Sequence, residues 1–407
     1  MANLFYSMKN ALLTWVLFFV LSSLQAQNYS LYSNEQIILD SKHLQETITV
    51  NLHLPETQPY SAPSTSYPIT VIFDSQHERT YPLIISSIDL LTSETQMPES
   101  IILGIPFNFQ NRRYFTSSQK KINDTLSGIE RMELFLFEEL LPMIKTQYKG
   151  NDYLTLVGHS RTGFLVNYLA FQRPNQVNNA ISLSGFFDDK PLTIDTFSGL
   201  LTDGSKFPHR FNYYFTAGTT LEESTYLTEM KSLDSLLKTR SIPDHIKIDL
   251  QETPNANHIS NYWVSLPSIL MDAFSPYNSI LDRWFHEEGK AENAKQPIQE
   301  FKLDLAKAGA EVGLGLNPSV THIFSLASQF AGDQDYKTAM DFFEMGLDFY
   351  PDYLDFHIEL ISYAQEIGDQ EKLARYKAEL MEKTQGSTRL SEAEKEEIYK
   401  YLNGDRD

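Results

Sequence analysis

From residue 29 to residue 285, short apolar runs alternate with longer segments of helical period. Strands that alternate with helices pair in parallel, and a parallel sheet must be covered on both faces. The pattern therefore predicts an α/β fold with a mostly parallel sheet. Residues 48–54 carry apolar side chains at every second position, as a half-buried strand requires. Residues 69–73, 100–105, 153–157, 179–184, 211–216 and 246–250 read as buried strands. Residues 81–91 read as a crossover segment. Residues 129–148 read as a long amphipathic helix with Met132, Phe135, Leu136, Leu140 and Met143 on one stripe.

The amino terminus lies outside that pattern. Lys9 precedes an apolar run over residues 11–21, and a short polar stretch ends in Ala26. This reads as a signal peptide over residues 1–26. The run is shorter than the roughly 20 apolar residues of a membrane span. The expected mature chain starts near Gln27, is exported to the periplasm or secreted, and keeps no stable membrane insertion. The sequence holds no Cys, which excludes disulfides, thiolate metal sites and a Cys nucleophile. Its 53 acidic against 33 basic residues give a net charge of −20. A surface so negative repels phosphate backbones, so nucleic acid is not an expected partner.

After about residue 290 the pattern is helical alone, and over half of the net negative charge lies there. Gly332-Asp333-Gln334-Asp335 recurs as Gly368-Asp369-Gln370-Glu371. Ala339, Phe342, Phe343, Gly346, Leu347 and Tyr350 fall at helical spacing after the first copy, and Pro351 ends that helix. Helical hairpins at this period resemble tetratricopeptide repeats. Two copies cannot bury a core alone, so the region is expected to dock on the sheet domain. The expected boundaries are 27–287 for the α/β domain and 288–407 for a small all-α repeat region. A protein or peptide partner at the repeats is a further expectation.

The chemistry centres on Gly158-His159-Ser160-Arg161-Thr162-Gly163, which stands between a predicted strand and a helix-forming run. Strand, tight turn and helix with Ser at the apex is the arrangement of an α/β-hydrolase nucleophile. Thr162 stands where the usual motif has Gly, and capping the helix is the alternative role for Ser160. In that fold the triad runs Ser, acid, His along the chain, at the carboxyl ends of strands. His245 precedes its strand and falls at the opposite rim, about 16 Å away at 3.3 Å per residue. His258 follows the same strand and falls at the correct rim. The acid is expected after residue 216, where Glu222 is the first choice and Glu223 its competitor, with Asp188 and Asp189 in reserve. Arg112, Arg113 and Arg161 are candidates for binding an anionic part of a substrate. No metal and no cofactor is required by this chemistry.

These residues, with Asp74-Ser75-Gln76, Asn111-Arg112-Arg113, the 97–105 and 138–144 segments and Gly218, resemble the Putative esterase (esterase D-like) family of α/β-hydrolases. The resemblance covers about residues 41–274. It implies a carboxylic-ester hydrolase acting on a small-molecule ester through an acyl-enzyme. It also implies that backbone N–H groups of Gln76 and Arg161 form the oxyanion hole. Ser75 and Thr162 depart from the family pattern. Two other readings are an inactive hydrolase-fold protein that binds through its repeats and an acyltransferase with an acceptor other than water.

Overall fold

The computed structural model describes residues 32–188, 192–286 and 294–404. The expected signal peptide, Asp189 and the 287/288 boundary lie outside the described residues. Among the described residues eight strands form one sheet: β1 (Tyr32–Ser41), β2 (Glu46–Pro55), β3 (Tyr67–Phe73), β4 (Ile101–Ile105), β5 (Gly150–His159), β6 (Asn179–Leu183), β7 (Phe211–Gly218) and β8 (Ile246–Thr253). Their order is β1-β2-β4-β3-β5-β6-β7-β8. β1 and β2 are antiparallel and β2 joins β4 antiparallel, while β4 through β8 run parallel. Every residue of β3, β4, β6 and β7 is buried, as the continuous apolar runs required.

The covering helices are α1 (Thr80–Ser93), α2 (Phe109–Phe115), α3 (Gly128–Leu134), α4 (Leu141–Gln147), α5 (Arg161–Gln172), α6 (Ile194–Leu201), α7 (Ser224–Leu237) and α8 (His258–Ala273). α1 packs against α8, and α5 lies on β5 and β6. A π-helical turn at Phe135–Leu140 joins α3 to α4 in one continuous rod. Pro142 stands just beyond it and has no N–H to offer the preceding turn, which favours the wider winding there.

Among the described residues only helices follow: α9 (Ser275–His286), α10 (Pro297–Val312), α11 (Val320–Gly332), α12 (Tyr336–Phe349), α13 (Leu354–Glu366), α14 (Gln370–Gly386) and α15 (Glu392–Asn403). α11 pairs with α12 and α13 with α14 across three-residue links, so each pair is a helical hairpin. Gly346 is small because a Cβ there would come within 2.7 Å of the Phe356 ring. Tyr32 onward forms one compact unit, with the hairpins docked on the sheet domain. The docking side is the amino end of the parallel strands. Ala62 N–H, just before β3, donates to Phe349 O at 2.7 Å, and Thr321 donates to Ser93 O at the end of α1. Among the described residues no helix is long and apolar enough to cross a membrane.

Candidate active site

Parallel strands bring the segments that follow them to one rim, and the chemistry-bearing residues gather there. Ser160 stands between β5 and α5 with φ +59° and ψ −118°. A non-glycine residue in that region carries about 1–3 kcal/mol of strain, stored at the tip of a tight turn. Its N–H continues the ladder to Leu183 O at 2.9 Å, and its side chain is partly exposed. Gly158 lets strand and helix converge: a Cβ there would lie 2.1 Å from Thr162 O.

His258 follows β8 as expected and is the first residue of α8. Asn257 caps that helix, its Oδ1 accepting the Ser260 N–H at 2.9 Å. The imidazole meets Glu223, with Nδ1 and Oε1 2.5 Å apart. This corrects the choice of Glu222, which is exposed, whereas Glu223 is fully buried. The short helical turn Leu221–Glu223 directs the second glutamate inward and the first outward. Glu223 Oε2 also accepts from Ser184 Oγ at 2.6 Å and from Gly218 N–H at 2.9 Å. Burial pushes the Glu223 carboxyl up, but the bonds from His258, Ser184 and Gly218 prevail and hold it below the ordinary carboxylate range. An ionised acceptor requires Nδ1 of His258 to carry its proton, which leaves Nε2 free to act as a base.

His159 links serine and histidine. Its Nε2 lies 2.7 Å from the His258 carbonyl oxygen, which can only accept, so Nε2 is protonated. The two rings lie 4.4 Å apart, and His159 stacks on Tyr262 at 5.2 Å. Burial, then the neighbouring His258, lower the His159 imidazole to about 4, so it is neutral near pH 7. Tyr226 also stacks on His258, at 4.7 Å.

Gln76 follows β3, and Arg161 opens α5, where first-turn N–H groups lack intrahelical acceptors. Arg112, a candidate for binding substrate, spends two of its donors inside the protein. Its Nε and Nη2 each lie 2.7 Å from a separate oxygen of Asp74. Arg113 is exposed. The Arg161 guanidinium lies 6.0 Å from the Phe186 ring, and burial followed by the charges of Arg112 and Arg113 lowers its pKa. Asp188 is exposed beyond β6 and acts on Arg161 through its charge, while the carboxylate on His258 Nδ1 is that of Glu223. Sequence reasoning did not single out Ser184, Asn261 or Tyr226, and named Asp74 only as part of a motif. Asn261 donates to Ser184 Oγ at 2.7 Å, supporting the glutamate from behind. Only a three-dimensional arrangement gives such residues meaning, although Asp74 and His159 lie inside segments that already looked informative.

A mostly parallel sheet, crossover helices and a strained serine at the tip of β5 define an α/β-hydrolase. A family model described as Putative esterase matches residues 41–266, more than half of the sequence. The chain belongs to this family, and it is a hydrolase by that membership. An uncharacterised protein from Capnocytophaga ochracea is similar in structure, with a TM-score of 0.57 at 16% identity, over 91% of this chain and 99% of that one. An IroE-like serine hydrolase from Shewanella oneidensis gives 0.56 at 16% identity, over 86% and 99%. The BES protein from Bacillus cereus gives 0.51 at 20% identity, over 61% and 95%. The first two likenesses cover more of the chain than the sheet domain alone. Among curated proteins none matches the chain.

Proposed function

We propose that this chain is an exported serine carboxylic-ester hydrolase in which Ser160, His258 and Glu223 act as the triad. The observation that carries the reading is the buried Glu223 carboxylate on His258 Nδ1, at the rim where the strained Ser160 turns out. Ser160 Oγ attacks the ester carbonyl carbon as His258 Nε2 takes its proton. The backbone N–H groups of Gln76 and Arg161 receive the negative oxygen, each worth a factor of roughly 10² to 10³ in rate. Collapse breaks the ester bond, and the alcohol leaves with the proton from His258. Water then gives a proton to His258 and its oxygen to the acyl carbon, releasing the acid and restoring Ser160. Exposed Arg113 and partly buried Arg161 favour an ester with an anionic substituent.

The mature protein is expected to release p-nitrophenol from p-nitrophenyl acetate, and Ser160→Ala to abolish this. Fluorophosphonate should label the wild type once, at Ser160. Equal, slow hydrolysis by both proteins with no labelling would refute the reading and leave a hydrolase-fold binding protein in its place.

A further inference from the structure

At the end of β3 the chain turns through Asp74, whose φ of +67° is strained for a residue with a side chain. The Asp74 carboxylate is buried and receives four hydrogen bonds. Two come from Arg112, as described. Gln76 Nε2 donates to Oδ1 at 2.9 Å, and Thr162 Oγ1 donates to Oδ2 at 2.9 Å. Gln76 Oε1 in turn accepts the Phe107 N–H at 2.8 Å, pinning the turn from its far side. The Thr162 hydroxyl also accepts the His159 N–H at 2.9 Å. It has one proton, and the charged carboxylate is a stronger acceptor than the His159 carbonyl that lies equally near.

The two oxyanion donors sit at opposite ends of this clamp. Gln76 is two residues beyond Asp74, and Arg161 immediately precedes Thr162. The two segments are far apart along the chain, and the Asp74–Thr162 bond ties them directly. Resting on the esterase reading above, we propose that Arg112 and Thr162 are positioning residues: through Asp74 they fix the gap between the Gln76 and Arg161 N–H groups. The usual motif has a glycine at position 162 and no hydroxyl to make this bond. Thr162 is thus a working part of the site, and Arg112 acts on the turn rather than on the substrate.

A displacement of about 1 Å in such a site costs around 10²-fold in rate. The test uses the mature protein and neutral p-nitrophenyl acetate, with active sites counted at the endpoint of fluorophosphonate labelling. Thr162→Val and Arg112→Met should each lower kcat per labelled serine by about 10- to 100-fold, with KM within about twofold. Thr162→Ser, which keeps the hydroxyl, should restore most of the rate. Thr162→Val preserves side-chain volume and decides the matter should Arg112→Met fail to accumulate. An active wild type whose variants keep full kcat overturns the positioning role alone. So does an Arg112→Met effect confined to KM for mono-p-nitrophenyl glutarate, which would make Arg112 a substrate ligand. A wild type that neither turns over nor labels overturns the esterase reading beneath it.

Discussion

Glu222 and Glu223 are the same residue type one position apart, and their surroundings could hardly differ more. The buried carboxylate is closely enclosed by its local structure. At Gly218 a Cβ would lie 2.2 Å from Ala256 O and 2.9 Å from Glu223 Cγ, so only glycine lets β7 end this close to the acid. Its N–H then donates to that acid. Glu223→Gln keeps the shape but favours the wrong imidazole tautomer, and kcat should fall by about 10³ to 10⁴. Glu222→Gln should stay within about twofold of the wild type, and steady-state kinetics on p-nitrophenyl acetate compare the two directly. Sequence could name the pair but not choose between them. The choice depends on a few backbone torsions in the turn Leu221–Glu223, which leave no periodic trace. His258 was legible for the opposite reason: strand direction alone decides which rim a residue occupies.

The strands that were legible are those whose burial is complete. β3 and β4 appear in the sequence as unbroken apolar runs because helices cover both faces. β1 escaped detection because it is an edge strand, paired only with β2, and its sequence is mostly polar with Ile38 exposed. The hairpins were legible through their repeated Gly-Asp links. Nothing in the pattern, however, told which end of the sheet they would meet. Several elements also bury neutral imidazoles: His53 in β2, His159 at the end of β5, His322 in α11 and His357 in α13. Burial lowers His53 and His357 to about 4 and His322 to about 3, matching His159. Between pH 6.5 and about 4 the unfolded chain binds protons at these four sites and the native chain does not. The stability that these histidines contribute therefore falls as pH falls through that window, by about 1.4 kcal/mol per unit for each one. Glu99 opposes one of them, because burial raises its carboxyl to about 7 and stability from it falls as pH rises from 4.5 to 7. The four histidines outweigh it. Urea unfolding at pH 5 and pH 7 should show the loss, and His322→Gln should flatten the slope by about one proton's worth.

For the molecule as a whole, catalytic rim and helical hairpins lie at opposite ends of the strands. β5 has 10 residues and so spans about 33 Å between its amino end and Ser160. The hairpins hold the segment before β3 through Ala62 N–H on Phe349 O, and through Tyr60, whose ring meets Tyr353 edge-on at 5.7 Å. Arg389 closes the contact from the link between α14 and α15: it donates to Pro59 O at 2.6 Å and lies over the Tyr60 ring at 5.1 Å. These contacts order the start of β3, whereas the proposed oxyanion turn is at its other end. They should therefore govern stability and leave the chemistry alone. Edge-on aromatic pairs and cation–π contacts are each worth roughly 0.5–1.5 kcal/mol. The double variant Tyr60→Ala/Arg389→Ala should lower Tm by about 2–5 °C. Its kcat/KM per labelled serine should match the wild type at 25 °C. A fall in kcat/KM alongside Tm would mean that β3 transmits the docked state along its length to the turn at Asp74, and that the two ends of the sheet do not work independently.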